Sequence, residues 1–327
     1  MRICIFGAGA IGGTIGARLA QAGHEVSLIA RGAHLAAIRA HGLTLRSGDA
    51  SHVLKIAASD NPADLGAQDA VIIALKSHSL PGAAAGIAPL LGPDTCVVSA
   101  LNGLPWWFFN DWGGALSGTP LASCDPDGRI ARTIEPARVL GCVVFLASDV
   151  PAPGVVRHNS GNRLVLGEPA NRISTRVTAL AAALTEAGFE AQASADIRRD
   201  MWQKLLGNLC FNPASVLTGV STDQMLDDNH MSALFAAMMR EAIAVAAALG
   251  IDIAIDPAVR MAQTRKLGPI RSSMLQDVEA GRPIELDAIV GSVVEVAERV
   301  GVPTPFINAV FGAVRVRARA LDLYPQS

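Results

Sequence analysis

The chain is poor in charge and in aromatic rings. Asp, Glu, Lys and Arg make up 17% of its 327 residues, and Phe, Trp and Tyr only 4%. It also lacks an excess of either sign, with 27 Lys and Arg against 29 Asp and Glu. A half-hydrophobic, nearly neutral chain is not a disordered polyelectrolyte. It is not a nucleic-acid binder either, because counterion release needs a basic patch and no basic run exceeds a pair such as Arg198-Arg199. The five cysteines (Cys4, Cys96, Cys124, Cys142 and Cys210) show no CxxC spacing and no histidine-rich partner. Their pattern points to a reducing cytoplasm, without a disulfide framework or a structural metal. Mean hydropathy is +0.35. Even so, the charge-free run 77–93 holds three prolines, and the apolar start is broken by glycines from Gly7 onward, so neither reads as a membrane span or an export signal.

What is present is enough chain for two domains. Short β-branched runs at 2–6, 25–30, 69–75, 95–100, 139–147 and 163–167 alternate with Ala-rich helical stretches, which predicts βαβ crossovers and a mostly parallel sheet. The segment 110–136 is rich in Gly, Pro and Asp and reads as loop. Residues 188–195 read as a last strand and hinge. Beyond them amphipathic helices are expected at 196–211, 232–249, 256–266 and 283–300. The expected organisation is α/β: a Rossmann-type dinucleotide-binding domain at 1–194 and an all-helical domain at 195–327.

The first strand runs into Gly7-Ala8-Gly9-Ala10-Ile11-Gly12-Gly13, with helical spacing after it. In that context Gly7 permits a tight turn, Gly9 lets a pyrophosphate approach the backbone, and Gly12 lets helix and strand pack closely. FAD and S-adenosylmethionine use similar turns. At the end of the second strand stands Arg31, and Glu25 lies too early to reach a ribose 2′-hydroxyl. This favours NADP(H), with Arg31 on the 2′-phosphate, over the alternative of an ordinary surface arginine.

Residues 200–213 form the other informative stretch. Lys204, Asn208 and Asn212 recur at i, i+4, i+8 and drift only about 80° around a helix, so they share a face. One ammonium and two amides suit a small oxygen-rich ligand on which negative charge develops. The alternative is a solvated polar stripe, with Asn212 capping the helix before Pro213. Further on, Gln276 three residues after Ser273 looks like a helix start, and Glu285 follows a Gly-Arg-Pro turn, so capping alone also accounts for both.

Taken together, these residues resemble the ketopantoate reductases (2-dehydropantoate 2-reductases). The likeness spans nearly the whole chain: the glycine turn with Arg31, Leu75-Lys76, Asn102-Gly103, Trp202-x-Lys204-x3-Asn208-x3-Asn212-Pro213, and Ser272-Ser273-Met274-Leu275-Gln276-Asp277 with Glu285-Leu286-Asp287. The resemblance implies a Rossmann domain followed by a helical domain like that of 6-phosphogluconate dehydrogenase, and NADPH-dependent reduction of a 2-oxo acid in pantothenate biosynthesis. By position it makes Lys204 and Glu285 catalytic, and Asn102, Asn208, Asn212 and Ser273 substrate-binding. It assigns Gly7, Ala8, Gly9, Ala10, Ile11, Gly12, Arg31, Lys76 and Asn102 to the cofactor. One departure is Leu101, where the family has Gln. Another is the aromatic block 106–109, which reads as a buried cluster or a homodimer contact, or else as a wall selecting a different 2-oxo or hydroxy acid. A cofactor-binding regulator without catalysis is disfavoured by the intact Lys204 and Glu285.

Overall fold

The computed structural model describes Met1 to Gln326 and divides into two compact units. The first comprises Met1–Leu101, Trp106–Pro120 and Asp127–Ile197. The second comprises Asn102–Pro105, Leu121–Pro126 and Arg198–Ser327. A linear reading does not reveal that two short segments of the first half belong with the second unit.

In the first unit, β1 (Arg2–Phe6) is buried from Ile3 onward on both faces, as strands covered by helices on each side are. Then follow α1 (Ala10–Gln21), β2 (Glu25–Ile29), α2 (Gly32–His41), β3 (Leu43–Ser47), β4 (Ala50–Leu54), β5 (Ala57–Ser59), β6 (Gln68–Ile73), α3 (Leu80–Ala83) and β7 (Leu91–Ser99). After them come α4 (Arg129–Thr133), β8 (Val139–Ala152), β9 (Val155–Gly167), α5 (Thr175–Glu186) and β10 (Glu190–Ser194). The sheet order is β4-β3-β9-β8-β7-β6-β1-β2-β5, with β10 beside β9. Pairing is parallel except for β3 with β4 and β8 with β9. The chain runs from β1 to β2 on one side and then returns to place β6 on the other, both parallel to β1. Strand order therefore reverses at β1, and the glycine turn that follows it lies at a switch point.

Three strands escape the sequence pattern. β3 alternates buried Leu43 and Leu45 with Thr44 and Arg46 but over only five residues, β4 buries no residue, and β5 is three residues long. β8 and β9 extend well beyond the expected 139–147 and 163–167, because their polar halves pair with each other as a hairpin around Gly154 (φ +76°). The aromatic block is core. Trp106, Trp107, Phe108 and Phe109 are all buried, and Phe109 meets Phe108 and Trp112 edge to face. Trp107 lies over Gly141 of β8, where a Cβ would sit 2.7 Å from the indole. Burial in the unit's own core rules out a dimer contact through these rings.

The second unit is helical: α6 (Ile197–Thr218), α7 (Thr222–Asp227), α8 (Asn229–Ala248), α9 (Pro257–Arg265), α10 (Ser273–Glu279), α11 (Ser292–Val300) and α12 (Pro305–Ala320). Two expectations fail here. The helix expected to stop at 211 continues through Pro213 to Thr218, so Asn212 is a buried interior residue and caps nothing. The helix expected over 283–300 begins only after Glu285, and its first turn, Asp287–Gly291, is π-helical. By length and composition α8 could cross a membrane, as one helix among the described residues can. Its buried Phe235, Met238, Met239, Ala242, Val245 and Ala246 recur at helical spacing, and Trp202 donates to the Ala242 carbonyl at 3.0 Å, as in a core helix.

Candidate active site

In the first unit the glycines do what close approach requires. Gly7 holds φ +109°, and a Cβ there would strike Leu75 at 2.7 Å. A Cβ on Gly12 would come within 2.1 Å of the Gly7 carbonyl, so α1 can begin this near β1 only with glycine at both places. At Gly9, the N-cap of α1, a Cβ would meet nothing within 4 Å, leaving open room where a pyrophosphate needs it. The first backbone bond of α1 runs from Gly13 N–H to Gly9 O at 2.7 Å. The N–H groups of Ala10, Ile11 and Gly12 therefore emerge from the helix end without helical acceptors, an arrangement that suits an anion. These features fit a dinucleotide. Arg31 is exposed at the N-cap of α2, two residues beyond β2, and 30–34 contains no carboxylate. Lys76 follows β6 at the start of a short helical turn, Ser77–Ser79.

In the second unit Lys204, Asn208 and Asn212 occupy one side of α6. The Lys204 ammonium donates to Asn102 Oδ1 at 2.7 Å. An amide engaged through its oxygen presents its NH2 on the other side. Asn102 is held there by its own backbone. Gly103 adopts φ +82° and passes so close to the π-helical turn that a Cβ would lie 2.0 Å from the Ala288 carbonyl. That carbonyl accepts the Leu104 N–H at 2.9 Å and the Ser292 hydroxyl at 2.6 Å. The lengthened π turn thus supplies the acceptor that fixes the Asn102 loop. The segment Leu121–Pro126 is tied in as well. Ala122 and Ser123 N–H donate to Glu295 at 2.9 and 2.8 Å, and the Cys124 thiol, pushed up to about 12 by burial, donates to the Leu104 carbonyl.

Glu285 is buried two residues before the π turn, and its carbonyl accepts the Ile289 N–H. On either side the chain is clamped by its C-terminal segment: Ile284 N–H donates to Leu323 O at 3.2 Å, and Tyr324 donates to Asp287 at 2.5 Å. Ser273, at the first position of α10, is exposed. The cap is Ser272, one residue earlier than the sequence suggested, with Leu275 N–H donating to its hydroxyl at 3.0 Å. Ser272 also meets Ser215 at 2.6 Å, and Ser215 donates to the Asn212 carbonyl at 2.7 Å. This chain of hydroxyls pins the start of α10 to α6 at Asn212. Sequence reasoning missed Ser215 and Ser272. The adjacent serines carried a start signal, but it did not distinguish which one bonds. Asn102 and Lys204 are in contact, while Arg31, Lys76 and the glycine turn belong to the other unit.

Residues 3–105 match the family model described as ketopantoate reductase PanE/ApbA, and residues 196–318 match its C-terminal counterpart. A 2-dehydropantoate 2-reductase of Mesorhizobium japonicum is 48% identical over 96% of this chain and 97% of its own length. Among solved structures, that of a candidate ketopantoate reductase from Ralstonia solanacearum is 50% identical, covers 99% of both chains and superposes with a TM-score of 0.95. The 2-dehydropantoate 2-reductase of Methylococcus capsulatus is 30% identical over 98% of both, with a TM-score of 0.84. With both halves matched and close relatives aligned from end to end, the chain belongs to the ketopantoate reductase family, oxidoreductases that work with a nicotinamide cofactor.

Proposed function

We propose that the protein reduces ketopantoate to pantoate with NADPH, as a step of pantothenate biosynthesis in the cytoplasm. The observation that carries this reading is the Lys204–Asn102 pair at the head of an asparagine stripe, in a chain so close to a 2-dehydropantoate 2-reductase. The nicotinamide, when bound, supplies a hydride to C2. Lys204 gives a proton to the C2 oxygen, or stabilises the charge gathering on it, and Asn102 holds the ammonium for that purpose. Glu285 helps orient Lys204 and the substrate. Asn208 and Asn212 take substrate oxygens including the C4 hydroxyl, and Ser273 with Asn102 takes the carboxylate end. The backbone of Gly7 to Gly12 receives the pyrophosphate, Lys76 lies toward the nicotinamide ribose, and Arg31 receives the 2′-phosphate. All five thiols are free, which supports a reducing compartment.

The test is a panel of 2-oxo acids with NADPH and NADH, following loss of reduced-cofactor absorbance. Ketopantoate is expected to give the highest kcat/KM. NADPH is expected to exceed NADH by about tenfold or more, with Arg31→Ala removing that margin, since each phosphate–guanidinium bond contributes about 1.5–3 kcal/mol. Equal kcat/KM for the two cofactors overturns the NADP assignment, and a different preferred acid overturns the substrate.

A further inference from the structure

Two hydrogen bonds fix the tautomer of His34, on α2. The N–H of Gly154, in the turn between β8 and β9, donates to Nδ1 at 3.0 Å, so Nδ1 carries no proton. The ring proton is therefore on Nε2, which donates to the Ala8 carbonyl at 2.8 Å. Ala8 is the second residue of the glycine turn. In a trans peptide the carbonyl of one residue and the N–H of the next point to opposite sides of the same plane. With the Ala8 oxygen held toward α2, the Gly9 N–H faces away from α2, at the N-cap of α1. Because Gly9 has no Cβ, this peptide could rotate at little steric cost, so the imidazole acts as its restraint.

We propose that His34 is a positioning residue for dinucleotide binding: its ring clamps the Ala8–Gly9 peptide so that the Gly9 N–H is offered to the cofactor pyrophosphate. This rests on the reading that the glycine turn holds a nicotinamide dinucleotide. The clamp acts on a group that NADPH and NADH share, whereas Arg31, at the cap of the same helix, acts on the 2′-phosphate alone.

Two near-isosteric variants separate the two bonds of the ring. In His34→Asn the amide oxygen reaches the place of Nδ1 and keeps an acceptor for Gly154, but the donor to Ala8 is lost. In His34→Gln the amide nitrogen reaches the place of Nε2 and keeps that donor. Binding of NADPH and of NADH is titrated on the full-length wild type and both variants, alongside melting temperatures and the split of kcat from the KM for NADPH. His34→Asn is expected to weaken both cofactors by about tenfold, the loss of one hydrogen bond, with kcat at saturating NADPH unchanged. His34→Gln is expected to bind nearly as the wild type does, whatever melting temperature it loses with the Gly154 bond. Equal weakening in both variants, in step with their melting temperatures, shows that His34 only packs and overturns the proposal. So does a loss confined to NADPH. If His34→Asn does not fold, His34→Leu against His34→Gln makes the same comparison. A wild type that binds neither dinucleotide refutes the reading of the turn itself, a result distinct from a wild type that binds both and a His34→Asn variant that binds equally well.

Discussion

Catalysis draws on the Lys204 ammonium chiefly as the substrate oxygen becomes an alkoxide. Removing it should therefore cost transition-state stabilisation far more than cofactor binding. Lys204→Ala is expected to lower kcat by about a hundredfold or more with the NADPH dissociation constant unchanged. Asn102→Ala, which leaves the ammonium without its 2.7 Å acceptor, should lose less. Single-turnover rates and direct titration measure the two quantities separately, and a Lys204→Ala variant with kcat within threefold of wild type would show the lysine to be structural. Much at this scale is legible in the sequence, because a stripe at i, i+4, i+8 needs only helical periodicity to be seen. That Asn102 meets Lys204 is not legible in the sequence, since Asn102 lies far away in the chain and its approach depends on Gly103 meeting a carbonyl of another element.

Elements are joined by groups whose pairing no local pattern announces. Glu168, buried at the end of β9, accepts from Arg176 through Nε at 2.8 Å and Nη2 at 2.6 Å, and from Ser174, the cap of α5, at 2.5 Å. Burial alone would push Glu168 up, but the Arg176 and Ser174 hydrogen bonds outweigh it and hold the carboxyl below its usual range. A depressed folded-state value stabilises the fold above the unfolded carboxylate range, near pH 4.3, and that contribution fades as pH falls through the folded value. Glu168→Gln is thus expected to lower stability by about 1–3 kcal/mol at pH 7, the low end for a buried pair because the Arg176 side chain is 34% exposed. The deficit should shrink in melts run progressively below pH 4.3. A deficit independent of pH would mean that lost packing, not the ion pair, causes it. The same dependence on remote partners explains the misread element ends. Pro213 signals a stop, yet tertiary burial carries α6 past it, and the π turn exists where the 103–104 loop requires a carbonyl.

At the scale of the whole molecule, the chain leaves the first unit at Asn102, returns at Trp106, leaves again at Leu121 and returns at Asp127 before the final crossing. The fold class was readable because buried parallel strands and amphipathic helices have different periods. These excursions were not, because segments of four and six residues are too short to show a period. The aromatic block explains why the first excursion is so short. Immediately after Pro105, four consecutive large rings enter the core of the first unit and commit the chain to it. Trp107 is fully buried against Gly141, so Trp107→Ala should open a cavity costing about 3–5 kcal/mol, while the order of preference among 2-oxo acids stays as in the wild type. Its indole N–H is buried with no hydrogen-bond partner, so Trp107→Phe removes an unsatisfied donor together with part of the ring volume. The two effects oppose each other, and the Phe variant should stay within about 1.5 kcal/mol of wild type. Denaturant midpoints together with a four-acid kcat/KM panel decide the matter. A reordered panel with unchanged midpoints would make these rings selectors of substrate, and a Phe variant as unstable as the Ala variant would mean that the indole N–H is satisfied after all.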